Sequence, residues 1–263
     1  MATYKKRGSK IRTSKTKNDN SFIDEVEFDG ESTTQEVFDS LDETASRSEK
    51  WLEENAKMVY TVLGVFLIGM LAFLAFNKFV KEPKEIKAAN YLAYSKSIFK
   101  KAETAKKDMD SLYNVALNGA DNKYGLLEVA NKFSGTKAGN IANYMAGMAF
   151  LKTNEYDKAI EHLNKFSSED EILEPMAKAK IGDAFADINQ LEDAFNYYKQ
   201  AATIRNNKFT TPMYLFKAAN TALEINKFDE ALVMFQKIKN DFSDSDEAKQ
   251  IDMFIKRAKY ASK

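Results

Sequence analysis

Between Met58 and Phe76 the chain reads MVYTVLGVFLIGMLAFLAF, nineteen residues without a charge. As a helix rising ~1.5 Å per residue this run is roughly 28 Å long, close to the ~30 Å hydrocarbon core of a bilayer. Lys57 and Lys78 bracket it and can snorkel to the two interfaces, with Trp51 and Tyr60 on one side and Phe79 on the other as interfacial aromatics. The pattern predicts a transmembrane helix over 58–80; the competing reading is a buried core helix. Pro83, lacking an amide donor and clashing with the preceding turn, is expected to end or kink it. Upstream, Val37, Phe38, Leu41 and Ala45 recur at helical spacing ahead of Trp51 and Leu52, which predicts an amphipathic juxtamembrane helix over 34–57. Residues 1–33, basic and then acidic, hold few large apolar side chains and read as a disordered tail.

Downstream, apolar positions recur with helical period in segments separated by Asn- or Gly-containing turns. A helix is predicted over 84–107, and others near 108–118, 122–133, 138–153, 156–167, 175–188, 191–204, 212–225, 228–240 and 244–261. No segment alternates with the period of a strand, and three prolines and ten glycines are too few for a turn-rich β fold. The fold class is all-α: tail, apolar helix, and a solenoid of helical hairpins.

Composition narrows the chemistry. Net charge is zero, so charge balance gives no nucleic-acid binder. There is no cysteine, hence no disulfide and no thiol nucleophile. The one histidine, His162, cannot build a histidine metal cluster and is expected to be an exposed surface residue. Carboxylates are scattered at spacings that suit i,i+4 pairs with lysine. No P-loop, GxGxxG, GxSxG or HExxH is present, and the glycines around 119–125 and 135–139 read as inter-helix turns. No enzyme activity, cofactor or metal is expected. The first seventeen residues carry seven Lys and Arg and no apolar stretch behind them, so no signal peptide is expected. This basic end reads as a solvated tail that helps fix topology; contact with anionic lipid or a ribosome is the other reading.

Three segments repeat: KTNEYDKAIEHL (152–163), DINQLEDAFNYY (187–198) and EINKFDEALVMF (224–235). Their alanines, Ala159, Ala194 and Ala231, are 35 and 37 residues apart. The preceding helices carry Gly147, Gly182 and Ala219, then Phe150 and Phe185, with Ala222 in the third unit. Bulky residues follow at Tyr156, Leu191 and Phe228 and at Leu163, Tyr198 and Phe235. The small residues let paired helices approach, and the bulky ones fill gaps between pairs. Asn154, Asn189 and Asn226 fit left-handed helix ends, and Pro175 and Pro212 fit first turns. This pattern resembles the tetratricopeptide repeat, a helix–turn–helix unit of about 34 residues. The resemblance implies three repeats over 138–240, a divergent repeat or cap over 84–137, and a C-terminal capping helix over 244–263.

In that family the leading helices line a groove that binds other proteins. The resemblance places on it Ile141, Tyr144, Met148 and Leu151 from the first unit, Met176, Ala179, Asp183 and Asp187 from the second, and Met213, Phe216, Asn220, Leu223 and Glu224 from the third. This lining is apolar and Met-rich with acids toward one end, and it lacks a Lys/Arg set for a partner's terminal carboxylate. The same residues can instead pack on the chain's own terminal helix, and both readings stand at this stage. SEKWLEENAK (48–57), the single span, GTKAGNIANYMAG (135–147) and IGDAF (181–185) resemble bacterial inner-membrane proteins of the single-span repeat family that accompanies the Sec translocon, in a Bacteroidetes-like form. That resemblance implies translocon channel subunits, a membrane-anchored chaperone and unfolded exported chains as partners. It also implies a cytoplasmic tail and a periplasmic repeat domain. Basic residues near the span, which are denser on its C-terminal side, favour the reverse orientation, but long domains cross largely regardless of charge. A scaffold for another envelope complex is the alternative.

Overall fold

The structure, a computed structural model, describes residues 51–262. The expected tail, and residues 34–50 of the expected juxtamembrane helix, lie outside the described residues. The chain divides between Ile68 and Gly69 into two compact units.

In the first unit, residues 51–54 are helical and Asn55 forms a turn, its amide side chain donating to the Trp51 carbonyl at 2.8 Å. Helix α1 (Ala56–Phe76) begins here, and not one of its side chains is buried. Among the described residues one continuous helix, Ala56–Thr104, contains a window long and apolar enough to cross a membrane. The buried-core-helix reading therefore fails.

Within the second unit the backbone continues from Phe76 through one π-helical stretch, Asn77–Lys81, into α2 (Glu82–Thr104). Pro83 does not end the helix, contrary to one of the two outcomes expected of it. Its ring would collide with the Phe79 carbonyl four residues back, and a wider turn moves that carbonyl aside. The Glu82 amide accordingly donates to the Asn77 carbonyl, five residues back.

Helix α2 buries Ala88, Leu92, Ser95, Phe99 and Ala102, a stripe at three- and four-residue spacing. It packs on α3 (Met109–Asn118), α4 (Leu126–Lys132) and α5 (Lys137–Lys152). A two-stranded antiparallel hairpin, β1 (Gly119–Ala120) and β2 (Lys123–Tyr124), interrupts the helices where only a turn was expected. Asp121 and Asn122 both take positive φ, 51° and 57°, as the tight turn between paired strands requires. The hairpin delivers Tyr124 onto Tyr91, with ring centroids 4.3 Å apart, and Tyr91 also stacks on Phe133. Two tethers bind the start of α2 to the turn before α5. Both Glu85 carboxylate oxygens accept from the Lys137 amide at 3.1 and 3.0 Å, and the Lys84 ammonium donates to the Ser134 carbonyl at 3.1 Å.

Three hairpins follow: α5 with α6 (Tyr156–Lys165), α7 (Leu173–Asp187) with α8 (Leu191–Thr203), and α9 (Thr210–Glu224) with α10 (Phe228–Asp241). A single-turn 3₁₀ segment, Glu247–Gln250, leads into α11 (Ile251–Ala261). Helix α11 is shorter than the predicted 244–261. Each hairpin turn closes identically. Asn154, Asn189 and Asn226 have φ of 60°, 61° and 61°, and the next amide reaches back 2.8 Å to the carbonyl of Phe150, Phe185 or Ala222. This is the Schellman closure, with Asn taking the left-handed position. One core runs from Ala88 to Ala159, another from Ala179 to Ala258, and Leu163, Phe166, Ala177 and Ile181 fill the space between.

Candidate partner-binding groove

The repeated small residues set the hairpin geometry. A Cβ on Gly147 would sit 2.5 Å from Leu163 Cγ, and one on Gly182 would sit 2.7 Å from Tyr198 Cε1. Ala159, Ala194 and Ala231 are fully buried. In the first two units the leading helix thus meets its trailing partner through a bare Cα, against the Ala159 and Ala194 carbonyl oxygens and the side chains of Leu163 and Tyr198. Two of the three hairpins match the tetratricopeptide repeat (TPR). The tetratricopeptide-repeat family model matches residues 142–170 and 214–245, the first and third units. The third unit is matched even though it carries Ala222 where the other two have Phe. No curated protein matches the chain. Among solved structures, a kinesin light chain of Podospora anserina with nearly identical TPR-like repeats is similar at 11% identity and a TM-score of 0.44, covering 66% of this chain and 86% of that one.

The TPR units distribute the expected lining unevenly. In the first unit Ile141, Tyr144 and Leu151 are half-buried between the first core and the small middle cluster, and Met148 packs on the first core. The Tyr144 ring lies 5.0 Å from that of Phe166. Burial, with Glu103 nearby, pushes its phenol above the ordinary range. This stretch holds repeats together. In the second unit Met176 leans on the second core, and Asp187 is exposed. Ala179 and Leu223 are corrections to the expected lining: at 1% and 7% exposure they belong to the core and have no surface to offer a partner.

Met213, Phe216 and Asn220 do come together. With Tyr198, Lys217, Thr221 and Glu247 they line a cleft of about 410 Å³. The first three lie on one face of α9 at i, i+3 and i+7. Phe216 also meets Phe254 of α11 edge-on at 4.8 Å, so it serves both the cleft and the terminal cap.

Beside the cleft, Asp183 organises the polar side. Its carboxylate accepts from Lys217 at 2.6 Å, Lys180 at 2.8 Å and the Tyr198 hydroxyl at 2.9 Å. Burial pushes the Asp183 carboxyl up, but the hydrogen bonds from Lys180 and Lys217 outweigh it and hold the group below the usual carboxylate range. Burial and the charges of Asp183, Asp187 and Glu224 push the Tyr198 phenol far up, so it stays protonated and donates. Lysines are therefore present near the cleft after all, but Asp183 engages both. The repeat spacing missed Tyr198, Lys217 and Glu247 as lining. Tyr198 read as a gap-filling aromatic, Lys217 was not singled out, and Glu247 comes from outside the repeats altogether.

A larger cleft of about 680 Å³ lies elsewhere, lined among others by Lys137, Asn140, Asn143, His162 and Lys165. His162 is half-buried rather than exposed, a further correction. Its ring stacks on Phe150 and its Nδ1 lies 2.9 Å from Asn143 Oδ1, because the trailing helix turns this face toward α5. Burial, with Lys165 nearby, lowers its pKa. Among the described residues no group of three or more His, Asp or Glu could hold a metal ion.

Proposed function

We propose that this chain is a membrane-anchored scaffold whose TPR units bind other proteins. The observation that carries the anchoring is that Ala56–Phe76, uncharged from Met58 onward, buries none of its residues. An apolar helix that buries no residue among the described residues leaves a patch far beyond the few hundred Å² that soluble monomers tolerate, and lipid is the solvent that suits it. Met58–Phe76 then lies in the bilayer, the tail lies in the bacterial cytoplasm and the TPR units lie in the periplasm. The partner segment lies along Met213, Phe216 and Asn220, flanked by Met176, Asp183, Asp187 and Glu224.

At finer resolution the chain is an accessory subunit of the Sec translocon, a scaffold or chaperone that meets exported proteins or recruits a chaperone to them. Its motivation is the sequence resemblance over the span and repeats. The deciding experiment is a mild-detergent pull-down of the tagged full-length protein with mass spectrometry. Stoichiometric recovery of channel subunits, lost in Met213→Asp, is the expected result. Recovery of one different envelope complex instead would sink the translocon role and leave a scaffold for that complex. A periplasm-active reporter fused after Lys263 that stays silent would overturn the orientation.

A further inference from the structure

We infer that the cleft between the second and third TPR units takes a partner segment in which a Lys or Arg stands beside bulky apolar residues. This rests on the reading that the cleft binds a partner, and it specifies that partner's chemistry.

The apolar requirement comes from the walls. Met213 and Phe216 offer half-exposed apolar surface, and the volume, about 410 Å³, is that of a site for side chains rather than for a folded surface. The cationic requirement comes from the arrangement of charge. Glu247 lines the cleft. Asp183, Asp187 and Glu224 all lie close enough to the Tyr198 hydroxyl to bias its proton. Against these four carboxylates stand Lys180 and Lys217, both within 2.8 Å of Asp183. One carboxylate thus holds two ammonium groups, while Asp187, Glu224 and Glu247 form no ion pair among the described residues. An acidic guest would face Glu247 in the cleft wall, with Asp187 and Glu224 unneutralised in the neighbourhood of Tyr198, and to use Lys217 it would have to break that lysine's bond to Asp183. A cationic guest would meet carboxylates that give up only water. Tyr198, held as a donor to Asp183, and Lys217, 5.2 Å over the Tyr198 ring, keep the arrangement fixed before the guest arrives. Charge complementarity of this kind discriminates between partners and is weakened by salt.

The test uses the full chain in zwitterionic nanodiscs with a photo-crosslinking benzoylphenylalanine in place of Met213. It is mixed with one of two short amphipathic peptides, leucine–lysine or leucine–glutamate. The expected result is roughly tenfold more crosslink to the lysine peptide at low salt, with the preference lost in a Glu224→Lys, Glu247→Lys double variant that keeps the helical circular-dichroism spectrum. Equal crosslinking of both peptides would overturn the inference while leaving the cleft as a binding site. Crosslinking of neither would overturn both.

Discussion

Gly147 faces Leu163, and Gly182 faces the Tyr198 ring, at contacts too close for a methyl group. Two opposed effects decide what alanine would do there. Helix propensity favours Ala over Gly by about 1 kcal/mol in a helix interior. Overpacking a filled core costs about 1–3 kcal/mol, and at Gly147 the obstacle includes the backbone oxygen of Ala159 at 3.1 Å, which cannot rotate away. Gly147→Ala should therefore lower stability by a net 1 kcal/mol or so, seen as an earlier urea midpoint; a later midpoint would refute the close approach. His162 gives a pH signature. Its folded pKa is depressed, so the unfolded chain binds more protons in the interval below the ordinary value of about 6.5. Stability should fall as pH drops through that interval, and His162→Gln should flatten the slope in thermal melts between roughly pH 7 and pH 5. The left-handed asparagines were legible from sequence because the requirement is local: one residue, one backbone conformation. The environment of His162 was not, because it depends on Asn143, nineteen residues away on another helix.

At the scale of elements, periodicity located the hairpins because each helix buries a stripe against its own partner. It misread the places where a backbone solution replaced a break. Pro83 is absorbed by a π turn, and the Asp121–Asn122 turn draws its flanks into a strand pair too short for any alternation to register. The Glu85 bond to α5 was equally invisible, since it joins residues 52 apart. It supplies a charged acceptor to an unsatisfied amide at a helix start, where the helix dipole favours it. Glu85→Ala should cost about 1–2 kcal/mol, and Glu85→Gln, which keeps an acceptor, less than that. Hydrogen exchange at the Lys137 amide is the direct readout: it should quicken in the alanine variant, and unchanged protection would remove the bond from the account.

On the scale of the whole molecule, repeats make the fold legible and the binding site only partly so. A solenoid is a sum of nearest-neighbour contacts, and its period is written into the chain. The cleft is not periodic. It draws Met213, Phe216 and Asn220 from one helix, Tyr198 from the previous unit and Glu247 from beyond the last. The leading helix of the first unit, similar in composition, is engaged in packing between cores.

The clip between Glu85 and Lys137 has a mechanical consequence. It joins the two ends of a long stretch of chain, so a load entering at Glu82 passes straight to α5 and bypasses α3, the β hairpin and α4. Those elements, though packed in the first core, stay off the line of tension until the clip parts. Drawn in optical tweezers between Lys78 and Lys152, the protein should withhold the 52-residue stretch and then release it in one step, whereas Glu85→Ala should let it out at lower force and in smaller increments.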